Sequence, residues 1–133
     1  MWNIRELRYG DQIRVNRGIY YHHGIYEDDN HIYQYASKEG SEVSPENALI
    51  IVTDLKTFLK GGIAEARDYD ELELRKLKSK DEIINTAKSL LGTGLGEYNL
   101  ISNNCEHFSN YCAFGKKESN QVEDVLKMLF GGR

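Results

Sequence analysis

The strongest constraint on the fold is an alternation of polar and apolar residues through the first third of the chain, broken twice by turn chemistry. Asp11 to Asn16 alternates, Arg17-Gly18 can turn, and Ile19 to Tyr26 is rich in β-branched and aromatic side chains. Asp28-Asp29-Asn30 then marks a tight turn before His31 to Ala36. Side chains on a strand point to opposite faces in turn, so this stretch reads as a β-meander of two hairpins. The only proline, Pro45, lies in a polar loop with Ser41 to Ser44, and Ala48 to Thr53 reads as a further short strand.

Helical signals take over beyond it. Asp54 to Lys60 reads as a short helix closed by Gly61-Gly62, whereas Leu72 to Leu77 alternates and reads as a strand. The acidic run from Glu65 to Glu73 reads as a solvated surface segment. Ser79 followed by Glu82 forms a capping box, and Ile83, Ile84, Ala87, Leu90 and Leu91 recur at helical spacing. This predicts a helix from Lys80 to Leu91, stopped by Gly92. A glycine-rich loop through Gly96 and then Tyr98 to Ile101 lead into a last cysteine-bearing segment. Val122, Val125, Leu126, Leu129 and Phe130 form an apolar stripe if Ser119 caps a helix over 119–130, and such a stripe packs most simply on the chain's own sheet. The expectation is one α+β domain over residues 1–133, an antiparallel sheet packed against helices, without repeats or linkers.

Charge and cysteine usage narrow the function classes. A net charge of −4 provides no basic field for nucleic acid, so no nucleic-acid partner is expected. Cys105 and Cys112 are seven positions apart, which on one helix separates them by roughly 10 Å, beyond disulfide reach. Free thiols fit a reducing compartment. The opening MWNIRELRYGD has no apolar stretch after its charges, and no apolar run approaches the roughly 18 residues of a membrane span. A cytoplasmic location is expected. No Cys-x-x-Cys or His-x₃-His spacing suggests a metal site, and no cofactor motif is present.

The chemistry concentrates in NNCEHF, Asn103 to Phe108. Asn104 suits an N-cap, and Cys105, Phe108 and Cys112 fall on one helical face before Gly115. A thiol in the first turn meets free backbone amides and the positive end of the helix dipole, which stabilise a thiolate. The same amides can hydrogen-bond an oxyanion. A nucleophile also needs a base, and the chain has four histidines. His107 follows Cys105 by two positions, so on a helix it points about 200° away. His22 and His23 sit in a strand and face opposite ways, so only one of them can face the thiol. Gln12, Tyr20 and Gln34 share the parity of His22, whereas His31 shares that of His23. Tyr20, Tyr21, Tyr33 and Tyr35 can line a pocket or pair across strands.

Three blocks, Gly10-Asp11-Gln12-Ile13, His22-His23-Gly24-Ile25-Tyr26 and Asn104-Cys105-Glu106-His107-Phe108, resemble the signature of the lecithin retinol acyltransferase domain. That domain is a circularly permuted relative of the NlpC/P60 papain-like fold, and the resemblance runs from about Gly10 to Gly115. It implies Cys105 as nucleophile and His22 as general base. Gln34 occupies the slot twelve positions after the base, where the family usually has histidine, and its amide oxygen can orient the imidazole. The implied activity is acyl transfer or hydrolysis through an acyl-thioester on Cys105, with glycerophospholipid acyl esters as substrate and transient contact with a membrane surface. Alternatives on the same scaffold are a cysteine peptidase or amidase acting on an amide, and an inactive binding module consistent with Gln34.

Overall fold

The computed structural model describes residues 1–37, 48–94 and 104–115, with Asn104 described by its backbone alone. The Pro45 loop, Tyr98 to Ile101 and the 119–130 segment lie outside the described residues. Within them, six strands form one antiparallel sheet and four helices pack around it. In chain order these are β1 (Trp2–Asn3), β2 (Asp11–Asn16), β3 (Tyr21–Asp28), β4 (His31–Ser37), β5 (Ala48–Thr53), α1 (Leu55–Leu59), β6 (Ala64–Arg67), α2 (Glu71–Lys76), α3 (Lys80–Ser89) and α4 (Asn104–Phe114). The strand order is β1-β6-β2-β3-β4-β5. The α+β class and the two-hairpin meander are as the sequence indicates.

Strand register fixes which side chains share a face. Val15 pairs with His22, Ile13 with Gly24, Gly24 with Gln34 and Tyr26 with Ile32. That face carries a cluster of Ile13, Val15, Tyr26, Ile32 and Ala66, closed by Phe58 of α1. Gln12 pairs with Ile25, Arg14 with His23 and Ile25 with Tyr33, which defines the other face. There Ile25, Tyr33, Tyr35 and Ile50 pack against Ile83, Ile84 and Ala87 of α3 and against Cys105, Phe108 and Cys112 of α4. Each fully buried large apolar side chain, such as Phe58 or Phe108, contributes roughly 1.5–3 kcal/mol by leaving water.

The shared parity of Gln12 and His22 is thus misleading, because the β2–β3 pairing puts Gln12 opposite Ile25 and on the face away from His22. The segment from Leu72 to Leu77 is also not a strand. Asp70 accepts from the Glu73 amide at 2.8 Å and Glu73 accepts from the Asp70 amide at 2.9 Å, a capping box that starts α2. Leu72 and Leu74 are mostly exposed, so their alternation with charges marks no buried sheet face. Part of the acidic run belongs to the sheet instead: Ala64–Arg67 is β6, with Ala66 buried against Ile13 and Glu65 accepting from Arg14 at 2.7 Å. The Ser79–Glu82 box forms as expected and starts α3, which ends one turn before Gly92. No helix among the described residues is long and apolar enough to cross a membrane.

Candidate active site

His22 is fully buried on β3, and its Nε2 lies 2.6 Å from the amide oxygen of Gln34 on β4. An amide oxygen only accepts, so Nε2 carries the proton and donates it. The lone pair then belongs to Nδ1, which makes that atom the basic one. Phe58 packs against the imidazole with ring centroids 5.1 Å apart. Glycine is needed beside it, since a Cβ on Gly24 would stand 2.7 Å from Phe58 Cε1 and 3.0 Å from the Tyr33 carbonyl oxygen. The H-x-G spacing therefore admits the phenyl ring that holds the imidazole in place.

Cys105 is buried in the first turn of α4, and its Sγ lies 3.8 Å from the carbonyl oxygen of Tyr21, to which it donates. That carbonyl belongs to the peptide joining Tyr21 to His22. Registered β3–β4 pairs run from Asp28–His31 only as far as Gly24–Gln34, whereas β4 goes on pairing with β5 to Ser37–Ala48. The sheet thus opens between β3 and β4 at the level of His22, where the first turn of α4 meets β3. The geometry brings His22 and Gln34 into contact on the Phe58 face, whereas Cys105 packs with Ile25 and Tyr33 on the other face and its thiol reaches the backbone carbonyl beside His22. Asn104 is the first residue of α4 rather than the residue before it, and its side chain lies outside the described residues.

The other histidines occupy different surroundings. His23 lies on the opposite face, edge-on to Trp2 at 5.5 Å, with Nε2 3.7 Å from Glu106 Oε2. Burial first, and then the neighbouring His22 and the Arg14 and Arg67 guanidiniums, push its pKa down to about 3. It stays neutral at neutral pH, so the approach to Glu106 is not an ion pair. So acidic an imidazolium also makes His23 a weak base there. His31 is exposed and pairs with Asp28 at 2.8 Å in the β3–β4 turn. His107 is buried on α4. Burial pushes the Cys112 thiol up to about 12, which leaves it protonated and inert.

Two residues of the first motif do more than composition suggests. Gln12 is buried, and its amide nitrogen donates to Ser109 Oγ at 2.8 Å and Asn110 Oδ1 at 2.9 Å on α4. Its oxygen accepts from Tyr69 at 2.8 Å and from Arg67 at 3.3 Å. Asp11, equally buried, accepts from Arg5 at 2.9 and 3.2 Å and from the Arg8 amide at 2.7 Å, with Lys80 of α3 at 3.5 Å. The G-D-Q-I block therefore ties β2 to α3 and α4 and positions the helix that carries Cys105. The tyrosines divide: Tyr33 and Tyr35 are in the core, while Tyr20 and Tyr21 line a cleft with His23 and Glu106. Among the described residues no group of three or more His, Cys, Asp or Glu side chains is arranged to hold a metal ion.

A family model described as lecithin retinol acyltransferase matches residues 5–118. The chain is 29% identical over 151 residues to lecithin retinol acyltransferase of Rattus norvegicus, covering 96% of this chain and 64% of that protein. It is 30% identical over 136 residues to phospholipase A and acyltransferase 3 of Mus musculus, covering 95% and 82%. With the Homo sapiens protein of the same name it shares 31% over 134 residues, covering 92% and 80%. The chain thus spans slightly less than two thirds of the rat retinol acyltransferase.

Proposed function

The chain belongs to the lecithin retinol acyltransferase family, and we propose that it is a thiol-dependent acyltransferase and hydrolase acting on lipid acyl esters. Nδ1 of His22 takes the proton of Cys105 while Gln34 holds the Nε2 proton on the other side of the ring. The thiolate attacks the ester carbonyl, and amides in the first turn of α4 stabilise the oxyanion. The imidazolium then protonates the departing alcohol, leaving an acyl-thioester on Cys105. Water, an alcohol or an amine releases the acyl group in a second addition.

The observation that carries this reading is the 2.6 Å contact between His22 and Gln34, which leaves Nδ1 of His22 basic, on the strand whose Tyr21 carbonyl accepts from the Cys105 thiol. Acyl-ester chemistry is favoured over peptide cleavage by the names of the relatives, which are acyltransferases and phospholipases. The test is incubation with a short-chain glycerophospholipid followed by intact-mass measurement. A single acyl adduct on Cys105, absent in Cys105→Ser, is expected. Cleavage of short peptides without any acyl adduct from the phospholipid would count against it.

A further inference from the structure

We propose that Arg14, Asn16 and Tyr21 form a seat for a phosphate group on the β2–β3 hairpin, by which a phosphate-bearing acyl donor is told from a neutral ester. The seat's part in turnover rests on the acyl-transfer reading of Cys105, whereas phosphate binding itself does not. Register puts the three side chains together: Asn16 pairs with Tyr21 and Arg14 with His23, so all share the sheet face on which α4 packs. A cleft of about 380 Å³ has Arg14, Asn16, Tyr21, His23 and Glu106 among its walls. Tyr21 also supplies the carbonyl that accepts from Cys105, which ties this hairpin to the first turn of α4.

Each of the three has a donor that no described residue uses. Arg14 donates from Nε to Glu65 at 2.7 Å, and its guanidinium is stacked on Trp2 at 4.6 Å and Tyr21 at 3.9 Å, which fixes its plane. Nη1 and Nη2, the end of the fork, meet no acceptor among the described residues and are not buried, on a side chain 21% exposed. Asn16 is exposed, and its Oδ1 accepts from the Gly18 amide at 2.7 Å, so Nδ2 is the end left for a ligand. The hydroxyl of Tyr21, a residue 38% exposed, likewise has no partner among the described residues. None of the three lies in the Gly10–Ile13, His22–Tyr26 or Asn104–Phe108 blocks, so the seat belongs to this chain's hairpin rather than to the catalytic motifs.

Donors without acceptors select an anion, and their arrangement selects its shape. A planar carboxylate is satisfied by the end of the Arg14 fork alone. A phosphate spreads its oxygens tetrahedrally, so it can meet the fork and, out of the fork's plane, the Asn16 and Tyr21 donors as well. Burial keeps His23 neutral, so Arg14 is the one charged donor among the described walls. Glu106 is the carboxylate in these walls, with Oε1 buried and Oε2 nearest His23 at 3.7 Å, and the dipole of α4 offsets its charge in the first turn. In a glycerophospholipid the phosphate and the acyl esters hang on one glycerol, so a phosphate seated here keeps the scissile carbonyl on the α4 side of the hairpin. The phosphate comes either from such a lipid or from the free anion.

The test uses the ¹⁵N-labelled full chain carrying Cys105→Ser, titrated separately with dimethyl phosphate, inorganic phosphate and acetate. Expected are saturable shifts of the Arg14 Nε–H, the Asn16 side-chain amide and the Tyr21 backbone amide with dimethyl phosphate, and about tenfold weaker binding of acetate, which has the same charge. Arg14→Gln should weaken the diester about tenfold or more, and Tyr21→Phe, which removes only the hydroxyl, about threefold. Acetate binding as tightly as the diester overturns the proposal on the Arg14-containing chain alone, even if Arg14→Gln does not fold. Inorganic phosphate bound with the diester excluded overturns the lipid donor as its source and leaves a free-anion site. Absence of binding by either phosphate overturns the seat whatever Cys105 does with esters. Phosphate binding by a chain whose native Cys105 never acylates would sink the acyl-transfer reading and uphold the seat. On the active chain, the ratio of kcat/KM for a short-chain phosphatidylcholine to that for the matching diacylglycerol should fall about tenfold or more in Arg14→Gln, and an unchanged ratio overturns the role in donor choice.

Discussion

Nε2 of His22 and the amide oxygen of Gln34 lie 2.6 Å apart across adjacent strands, with both side chains buried. A neutral acceptor here fixes the tautomer of the imidazole without adding charge. Gln34→Leu removes the acceptor and lets the ring choose its tautomer. The expected loss in kcat/KM on an ester substrate is roughly tenfold to a hundredfold, the size of one buried hydrogen bond worth about 1.5–3 kcal/mol. Gln34→His keeps an acceptor in place, and activity should be unchanged or raised. A large loss in Gln34→His, with the fold intact by circular dichroism, would show that the amide has another role.

The parts of the fold that were legible in the sequence are those where local chemistry and burial agree. Ser79 and Glu82 satisfy each other's amides, and the apolar positions behind them face the core, so α3 is visible from spacing alone. The strands from Asp11 to Ala36 are visible from their β-branched and aromatic residues and the turns between them, although most of their residues are buried on both faces. Leu72 and Leu74 alternate without being buried, and the Asp70–Glu73 box decides the matter locally in favour of a helix. Ala64–Arg67 has weak β propensity and is a strand only because β1 and β2 flank it, a tertiary fact with no local signal. Of the candidate site, the His22–Gln34 pairing was implied by the family resemblance, and the two side chains are in contact. The face of Gln12 was not legible, because number parity carries no information across a hairpin whose register is unknown.

The two thiols should differ sharply in reactivity. Burial pushes Cys112 up to about 12, while Cys105 occupies the first turn of α4. At pH 7.5 iodoacetamide is expected to add one carbamidomethyl group to the native chain. Cys105→Ser should abolish the adduct and Cys112→Ala should leave it. Peptide mapping checks the site, and equal labelling of both cysteines would contradict the assignment.

Stability should depend on pH through His23. The unfolded chain takes up this proton below its ordinary pKa of 6.5, whereas the folded chain resists it until about 3. Between those values the unfolded state binds more protons, so stability is complete above the upper value and falls as pH drops. The slope is at most about 1.4 kcal/mol per pH unit for one group. The carboxylates of Asp28, Asp54, Asp68 and Glu73 are held below their ordinary range, so whatever they add is lost only at lower pH. Between about pH 5 and 6.5 the carboxylates add little, and comparison with His23→Asn in urea unfolding separates this imidazole from the other three histidines. His23→Asn should show a flatter dependence there, and identical slopes in the two chains would refute the burial of a neutral His23.

Gln12 is expected to matter for where α4 sits as well as for stability. Its amide uses both ends, donating to Ser109 and Asn110 and accepting from Tyr69 and Arg67. Gln12→Leu has similar bulk but strands these partners in a buried setting, which should cost about 2–4 kcal/mol in urea unfolding. The packing of Phe108 and Cys112 against the sheet is untouched by the substitution, so α4 should remain helical while losing its polar attachment to β2. Amide exchange should then rise over Cys105–Phe114 more than over Ile25 and Tyr33, whose strands keep their ladder. Because the thiol rides on that helix, ester turnover should fall even at temperatures where the chain is fully folded. A uniform rise in exchange, with turnover unchanged in the folded protein, would reduce Gln12 to a general contributor to stability.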